Sequence, residues 1–291
     1  MFSIIIPTYN NINLLKICIN SLKKNSKFNN EIIVHVNVGN DNTKDYLINE
    51  NIKYTHTDYN SGLCVGVNLA AKKAKFDYII YSHDDFYFCP KWDLYFYQEI
   101  QKIGHNRFYL SGSAISNKSI ECGQGFDDFK EDKLLRNYKN YIDKDLQGST
   151  WAPHVIHKIY WNKVKGFSEE YFPGAGSDPD LNMKLWNCGI RIFKELSSFK
   201  VYHFGFKTLR KNKNNYGSKS SKIFLLKWGI SIKFFKKHYL KSKTIFNGEL
   251  KEPKKTFSYL MELTLLKIYY FYLYILTYIN DKSLINETYK N

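Results

Sequence analysis

Cysteine is scarce and unpaired in pattern: Cys18, Cys64, Cys89, Cys122 and Cys188 are scattered, odd in number and without a close pair. That spacing excludes a disulfide framework and a zinc ribbon, and predicts a reducing compartment. The opening "MFSIIIPTYN" has neither a charged n-region nor a long apolar h-region, so the expectation is no secretory signal and a cytoplasmic protein. No uninterrupted apolar stretch reaches the length of a membrane span. The strongest, "LTLLKIYYFYLYILTYI" over residues 263–279, is broken by Lys267, which predicts attachment at a membrane surface in preference to crossing. No repeat of fixed period is present.

Acidic residues are also few, 27 against 43 lysines and arginines for a net charge of +16. The shortage is concentrated late: residues 200–291 carry 19 basic and 5 acidic residues, which leaves a nearly neutral body. A basic tail on a neutral body points to an anionic partner, whether lipid headgroups, nucleic acid or a phosphorylated substrate.

What is present is an alternation of short apolar runs and amphipathic stretches. "FSIIIPT" reads as a strand, and "NLLKICINSLKK" repeats Leu14, Leu15, Cys18, Ile19 and Leu22 at helical spacing. "EIIVHVNVG", "IKYTHTD" and "DYIIYSHDD" read as further strands, with the helical "SGLCVGVNLAAKKA" before the last. Such βα units predict a Rossmann-like α/β fold with a mostly parallel central sheet and helices on both faces. Residues 107–148 have no clear periodicity. "PDLNMKLWNCG" reads as a short helix stopped by Gly189. "KTLRKNKNNYGSKSSK" has the composition of a loop or linker, placed at 206–220. "SKIFLLKWGISIKFFKKHYL" then reads as a basic amphipathic helix, with Lys222, Lys233, Lys236 and Lys237 in one sector. The expected organisation is a catalytic domain over 1–205 (halves 1–106 and 107–205), the 206–220 loop, and a helical C-terminal appendage over 221–291 that could meet a membrane surface or a second copy of the chain.

Open α/β sheets bind ligands beyond the carboxyl ends of their strands. Tyr9, Asn10, Asn40, Asp41, Asp84 and Asp85 all fall at such ends. Adjacent carboxylates there suit a hard divalent cation, which in turn can neutralise phosphate oxygens.

The order "SIIIPTYN", "NSGLCVGVNLAAKKAKFDYIIYSHDDFYFCPKW", "GFSEEYFPGAGSDPDLNMKLWNCGIRI", "VYHFG" resembles the family 2 glycosyltransferases with the A-type fold, over residues 2–205. The resemblance implies a nucleotide site made by Pro7, Thr8, Tyr9 and Asn10 with Asp41 at the base, while Asn37 and Asn40 compete for that last position. It also implies that Asn60, Gly62 and Asn68 pack near the nucleotide. Asp85, five residues before Pro90, takes the place of the last acid of the family's D-x-D motif and is the implied metal ligand, with His203 completing the coordination of Mn²⁺ or Mg²⁺. Asp84 is implied to face the nucleotide sugar. His83 stands where that motif begins with an acid, and Ser177 where a Glu is common. Asp178 matches the general base of an inverting displacement, and Asp180 either starts the following helix or joins the chemistry. Arg210 and Lys211 are candidates to close over the diphosphate. Trp151, His154 and Trp161 are candidates for the acceptor side. The chain lacks the Q-x-x-R-W segment and the several spanning helices of processive synthases, which implies transfer of single sugars from a nucleotide-sugar donor to a glycan or other hydroxyl acceptor. Two other readings are a nucleic-acid-binding module using the basic aromatic tail, and a transferase that binds nucleotide without turnover.

Overall fold

The computed structural model describes residues 1–116, 119–141, 144–205 and 216–280. Strand β1 (Phe2–Thr8) is a nearly unbroken apolar run because both its faces are covered: Phe2, Ile4, Ile5 and Ile6 are fully buried. It is flanked in parallel by β2 (Glu31–Asn37) and β4 (Tyr78–Tyr81), and β3 (Lys53–Thr57) pairs in parallel outside β2. Helices α1 (Ile12–Asn25), α2 (Thr43–Asn49) and α3 (Gly62–Ala71) connect these strands. The chain thus leaves β1 first to one side and later to the other, which opens a crevice at the carboxyl ends of β1 and β4.

Beyond β4 the sheet becomes mixed. Strand β8 (His154–His157) inserts antiparallel between β4 and β6 (Phe108–Ser116), and β9 (Ile192–His203) runs parallel to β6. The short β5 (Phe86–Phe88) and β7 (Leu146–Gln147) each pair antiparallel with β9. The order is β3-β2-β1-β4-β8-β6-β9-β5, with β7 off this path. Strands β1–β4, β6 and β9 share one direction, so the expectation of a mostly parallel sheet with helices around it holds. Helix α4 (Trp92–Ile103) follows β5, α5 (Glu131–Asn137) falls in the stretch without clear periodicity, α6 (Lys158–Lys163) follows β8, and α7 (Ser177–Asn187) precedes β9.

The C-terminal region departs from the expected single amphipathic helix. Helix α8 (Tyr216–Trp228) begins inside the stretch read as a loop and stops at Gly229, whose φ of +68° breaks helical geometry. Ser231 Oγ then accepts from Phe234 N (3.1 Å), capping a helical turn that runs into a π-helical turn at Phe235–Tyr239. Ile223, Phe224, Ile230, Phe234, Phe235, Leu240, Leu250 and Tyr259 join the same core as β1 and β4. The described residues from Ile223 to Tyr259 therefore belong to the same body as the sheet, because their apolar side chains are consumed by its core. Only α9 (Phe257–Asn280) stands out from it, packed on α8 along one face that includes Tyr259, Leu263 and Leu266.

Candidate functional site

The antiparallel pairing of β5 with the end of β9 puts Phe86 opposite His203, and Phe204 N donates to the Asp85 carbonyl at 3.1 Å. This register brings residues 118 positions apart together: His203 Nε2 lies 3.1 Å from Asp85 Oδ2. His83 stacks on Phe86 (centroids 4.9 Å apart, 9° between planes), and its Nδ1 reaches to 3.9 Å from Asp85 Oδ1. Ligand atoms of His83, Asp85 and His203 all lie within 4.8 Å of one another. Burial holds the His83 imidazole down to about 4, opposing the pull of Asp85, so His83 is neutral and has a lone pair to offer. Two imidazoles and a carboxylate converging on one point fit a divalent cation, and His83 occupies the position where the sequence departs from D-x-D.

Asp84 points the other way. Its Oδ2 accepts from Thr8 Oγ1 at 2.6 Å, and burial beside the Asp85 charge raises its pKa. It ties the exit of β1 to that of β4. Tyr9 is exposed at the rim. Asn10, at a φ of +46°, receives Asn40 N on its Oδ1 (2.9 Å), while Pro7 pairs with His35 in the β1–β2 ladder.

The other residues named for the nucleotide are heavily engaged in structure. Asp41 accepts from Ile12 N (2.8 Å) and from Thr43 Oγ1 (2.6 Å), joining the starts of α1 and α2. Asn60 Oδ1 receives Asn37 Nδ2 (2.9 Å) and Gly62 N (3.1 Å), and Asn37 Oδ1 receives Ser61 N (3.0 Å). Gly62 has a φ of +78°, and a Cβ there would come within 2.7 Å of Phe172. Asn68 brackets Phe167, donating to its carbonyl and accepting from its N–H, both at 2.9 Å. Arg210 and Lys211 lie outside the described residues.

Asp178 sits in the first turn of α7. Its Oδ1 is buried without a hydrogen-bond partner and lies 4.0 Å from His154 Nδ1. Burial pushes the carboxyl up to about 7, against the lowering effect of Lys236. His154 is fully buried on β8 and is held down to about 3 by that burial. Tyr109 OH donates to the Trp151 carbonyl (3.2 Å) and lies 2.9 Å from His154 Nδ1. His154 Nε2 is buried without a hydrogen-bond partner. Tyr81 links the two groups of residues, with ring centroids 5.5 Å from His83 and 5.2 Å from His154.

Ser177, where an acid was the alternative, turns its hydroxyl onto the Gly174 carbonyl at 2.7 Å. Asp180, in the first turn of α7 as expected of a helix start, is also a buried clamp. It accepts from Ser168 Oγ (2.5 Å) and Trp228 Nε1 (2.8 Å) and pairs with Lys227 Nζ (3.1 Å). Trp161 is a core residue packed on Phe167 (5.5 Å), which removes it from the acceptor candidates. Trp151 is half-buried, and His154 is beside Asp178. Sequence reading passed over Asn182, which is one helical turn beyond Asp178 on the same face, a spacing that could have exposed it.

Residues 3–164 match the family model described as "Glycosyl transferase family 2". No curated protein sequence matches. Among solved structures, S. aureus TarS 1-349 in complex with UDP-GlcNAc aligns with a TM-score of 0.58 at 14% identity, covering 98% of this chain and 79% of that one. TarS 1-349 with UDP gives 0.51 at 17%, covering 69% of this chain and 59% of that one. GalNAc-T7 with UDP, GalNAc and Mn²⁺ gives 0.60 at 14%, covering 81% of this chain and 49% of that one. The chain thus spans less than two thirds of some of these proteins, and the likeness is one of fold.

Proposed function

The chain belongs to glycosyl transferase family 2, and from that membership we propose that it transfers a single sugar, with inversion, from a nucleoside-diphosphate sugar to a hydroxyl acceptor. The observation that carries this reading is the His83, Asp85 and His203 donor set, joined to the Asp178 carboxyl through two packed rings, Tyr81 and His154.

The crevice at the ends of β1 and β4 receives the nucleotide. His83, Asp85 and His203 hold a divalent cation, and that cation, when bound, offsets the charge of the departing diphosphate. Asp178 takes the proton from the acceptor hydroxyl as the new bond forms. A carboxyl with a pKa near 7 is suited to this, being about half ionised at neutral pH and more basic than a solvated aspartate. The UDP in the neighbouring structures supports a uridine donor here. The nucleic-acid reading is not favoured by family membership, nor by the inward packing of most of the tail.

Release of nucleoside diphosphate, followed across a donor panel with Mn²⁺ or Mg²⁺, tests the reading on wild type and D178N. Turnover in the wild type and a loss of about 10²–10⁴-fold in D178N is expected; equal turnover in both would remove Asp178 as the base.

Surface attachment through α9 is part of the same proposal. The stretch Phe257–Thr277 is long and apolar enough to cross a bilayer by length and composition, with 6% of its most apolar window buried. Lys251, Lys254 and Lys255 precede it, which suits anionic headgroups on the cytoplasmic side. Flotation with anionic vesicles should be lost when residues 257–291 are removed. Failure of the full chain to float would end the proposal, and a dimer that dissociates on the same truncation would assign α9 to a second copy.

A further inference from the structure

Among the described residues, Val38 (φ +70°) is the only β-branched one with a left-handed backbone. A branched Cβ makes that conformation costly, because it crowds the following carbonyl. Val38 stands at the exit of β2, in the turn that leads to α2. The other left-handed positions of the same turn are Gly39 (φ +77°) and Asn42 (φ +62°), residue types that accept such a φ readily. A turn that only joined β2 to α2 would be relaxed by the same choice at position 38. The strain at Val38 is therefore held by its surroundings.

Two consecutive residues of β3 hold it. The β2–β3 register ends at Asn37 opposite Thr57, and Val38 N adds one more bond by donating to the Thr57 carbonyl at 2.9 Å. The Val38 carbonyl turns away from the ladder and is met by a side chain, His56 Nε2, at 2.9 Å. A carbonyl can only accept, so the imidazole N–H donates. His56 Nδ1 lies 3.5 Å from Asp58 Oδ1, which is exposed. Further along the turn, Asn40 N donates to Asn10 Oδ1 (2.9 Å) at the exit of β1. The turn is thus pinned to β3 on one side and to the rim of the crevice on the other.

Resting on the transferase reading, which puts the nucleotide in the crevice at the strand exits, we propose that His56 is a positioning residue for the donor. It holds the strained Val38 turn in place, so that residues 38–41 meet the nucleotide already ordered. Ordering a binding loop before the ligand arrives strengthens binding, since the loss of freedom has been met on folding. His56 is on β3, the edge strand of the sheet, so its replacement leaves the core closed.

Calorimetry on the full chain at saturating Mn²⁺ tests this on wild type, H56A, H56Q, V38G and the double variant H56A/V38G. The probe is UDP, or whichever of GDP, CDP and ADP binds the wild type better. H56A should weaken nucleotide binding about tenfold. H56Q, whose amide N–H replaces that of Nε2, should stay within about threefold of the wild type. Glycine adopts a left-handed φ without a clamp, so adding H56A to V38G should cost less than about threefold. Mn²⁺ affinity, measured separately, should be the same in all five proteins. Binding by H56A as tight as wild type, a loss in H56Q equal to that in H56A, an equal cost of H56A in both backgrounds, or a parallel loss of Mn²⁺ affinity overturns the proposal. A wild-type protein that binds none of the four nucleotides would instead overturn the transferase reading.

Discussion

Trp228 donates its indole N–H to Asp180 Oδ1 at 2.8 Å, joining the end of α8 to the first turns of the helix that carries Asp178. Lys227 strengthens the joint through Glu170 (2.6 Å) and Asp180 (3.1 Å). The C-terminal region therefore braces the helix that carries the candidate base.

Breaking this joint should cost stability as well as activity. Asp180 is fully buried with three hydrogen-bond donors and a lysine on it, so D180A strands those partners and should destabilise the fold by about 3–5 kcal/mol. W228F removes one bond and should cost about 1–3 kcal/mol. Urea denaturation of both variants measures the effect.

The titration of Asp178 gives opposite signs for activity and stability. Lys236, His154, Tyr81, Tyr109 and Cys64 face it, and its folded pKa is near 7. The base is active only when ionised, so kcat/KM should rise through about pH 7 and level off above. The folded pKa is raised above that of an unfolded aspartate, about 4. The stabilising effect of the proton is complete below about pH 4 and is lost as the pH rises through about 7. D178N, which cannot ionise, should therefore gain on the wild type by about 4 kcal/mol well above pH 7 and show no gain near pH 4. Denaturation curves across this range check the sign.

Two imidazoles in the metal-binding set should favour Mn²⁺ over Mg²⁺, which prefers an all-oxygen shell. H83D exchanges one imidazole for a carboxylate and should narrow or reverse that preference. H203A should weaken Mn²⁺ binding about tenfold or more. Titration of the purified protein with each metal, read by calorimetry, gives both ratios without an activity assay.

Gly62 separates a structural requirement from a binding one. Its φ is +78° and the Phe172 ring lies 2.7 Å from where a Cβ would stand, so G62A should lower stability by about 1–3 kcal/mol. Asn60, whose Oδ1 receives the Gly62 N–H, should behave similarly on substitution by Ala. Parallel measurement of melting temperature and nucleotide affinity tells the two roles apart: a loss of affinity at unchanged stability would overturn the structural role.

The nucleotide half was legible because local pattern suffices there. The runs in β1, β2 and β4 are apolar since both faces of a parallel sheet are covered, and the helices between them keep a 3.6-residue period. Motif order likewise singles out Asp85, His203 and Asp178 without any geometry. Trp161 marks the limit of local pattern: a tryptophan in an acceptor-side segment looks the same in sequence whether it faces a sugar or Phe167.

By itself the sequence determined the alternating strands and helices, the acidic stretch at the exit of β4 and the separate histidine and aspartate motifs, because each depends on neighbours within a few residues. Only the tertiary structure decided that His83 joins Asp85 and His203, and that Asp180 is a clamp. Those outcomes depend on the pairing of β5 with β9 and on the break at Gly229. Contacts between segments more than a hundred residues apart, such as Asp85 with His203, are fixed by sheet register and core packing, which local periodicity does not encode.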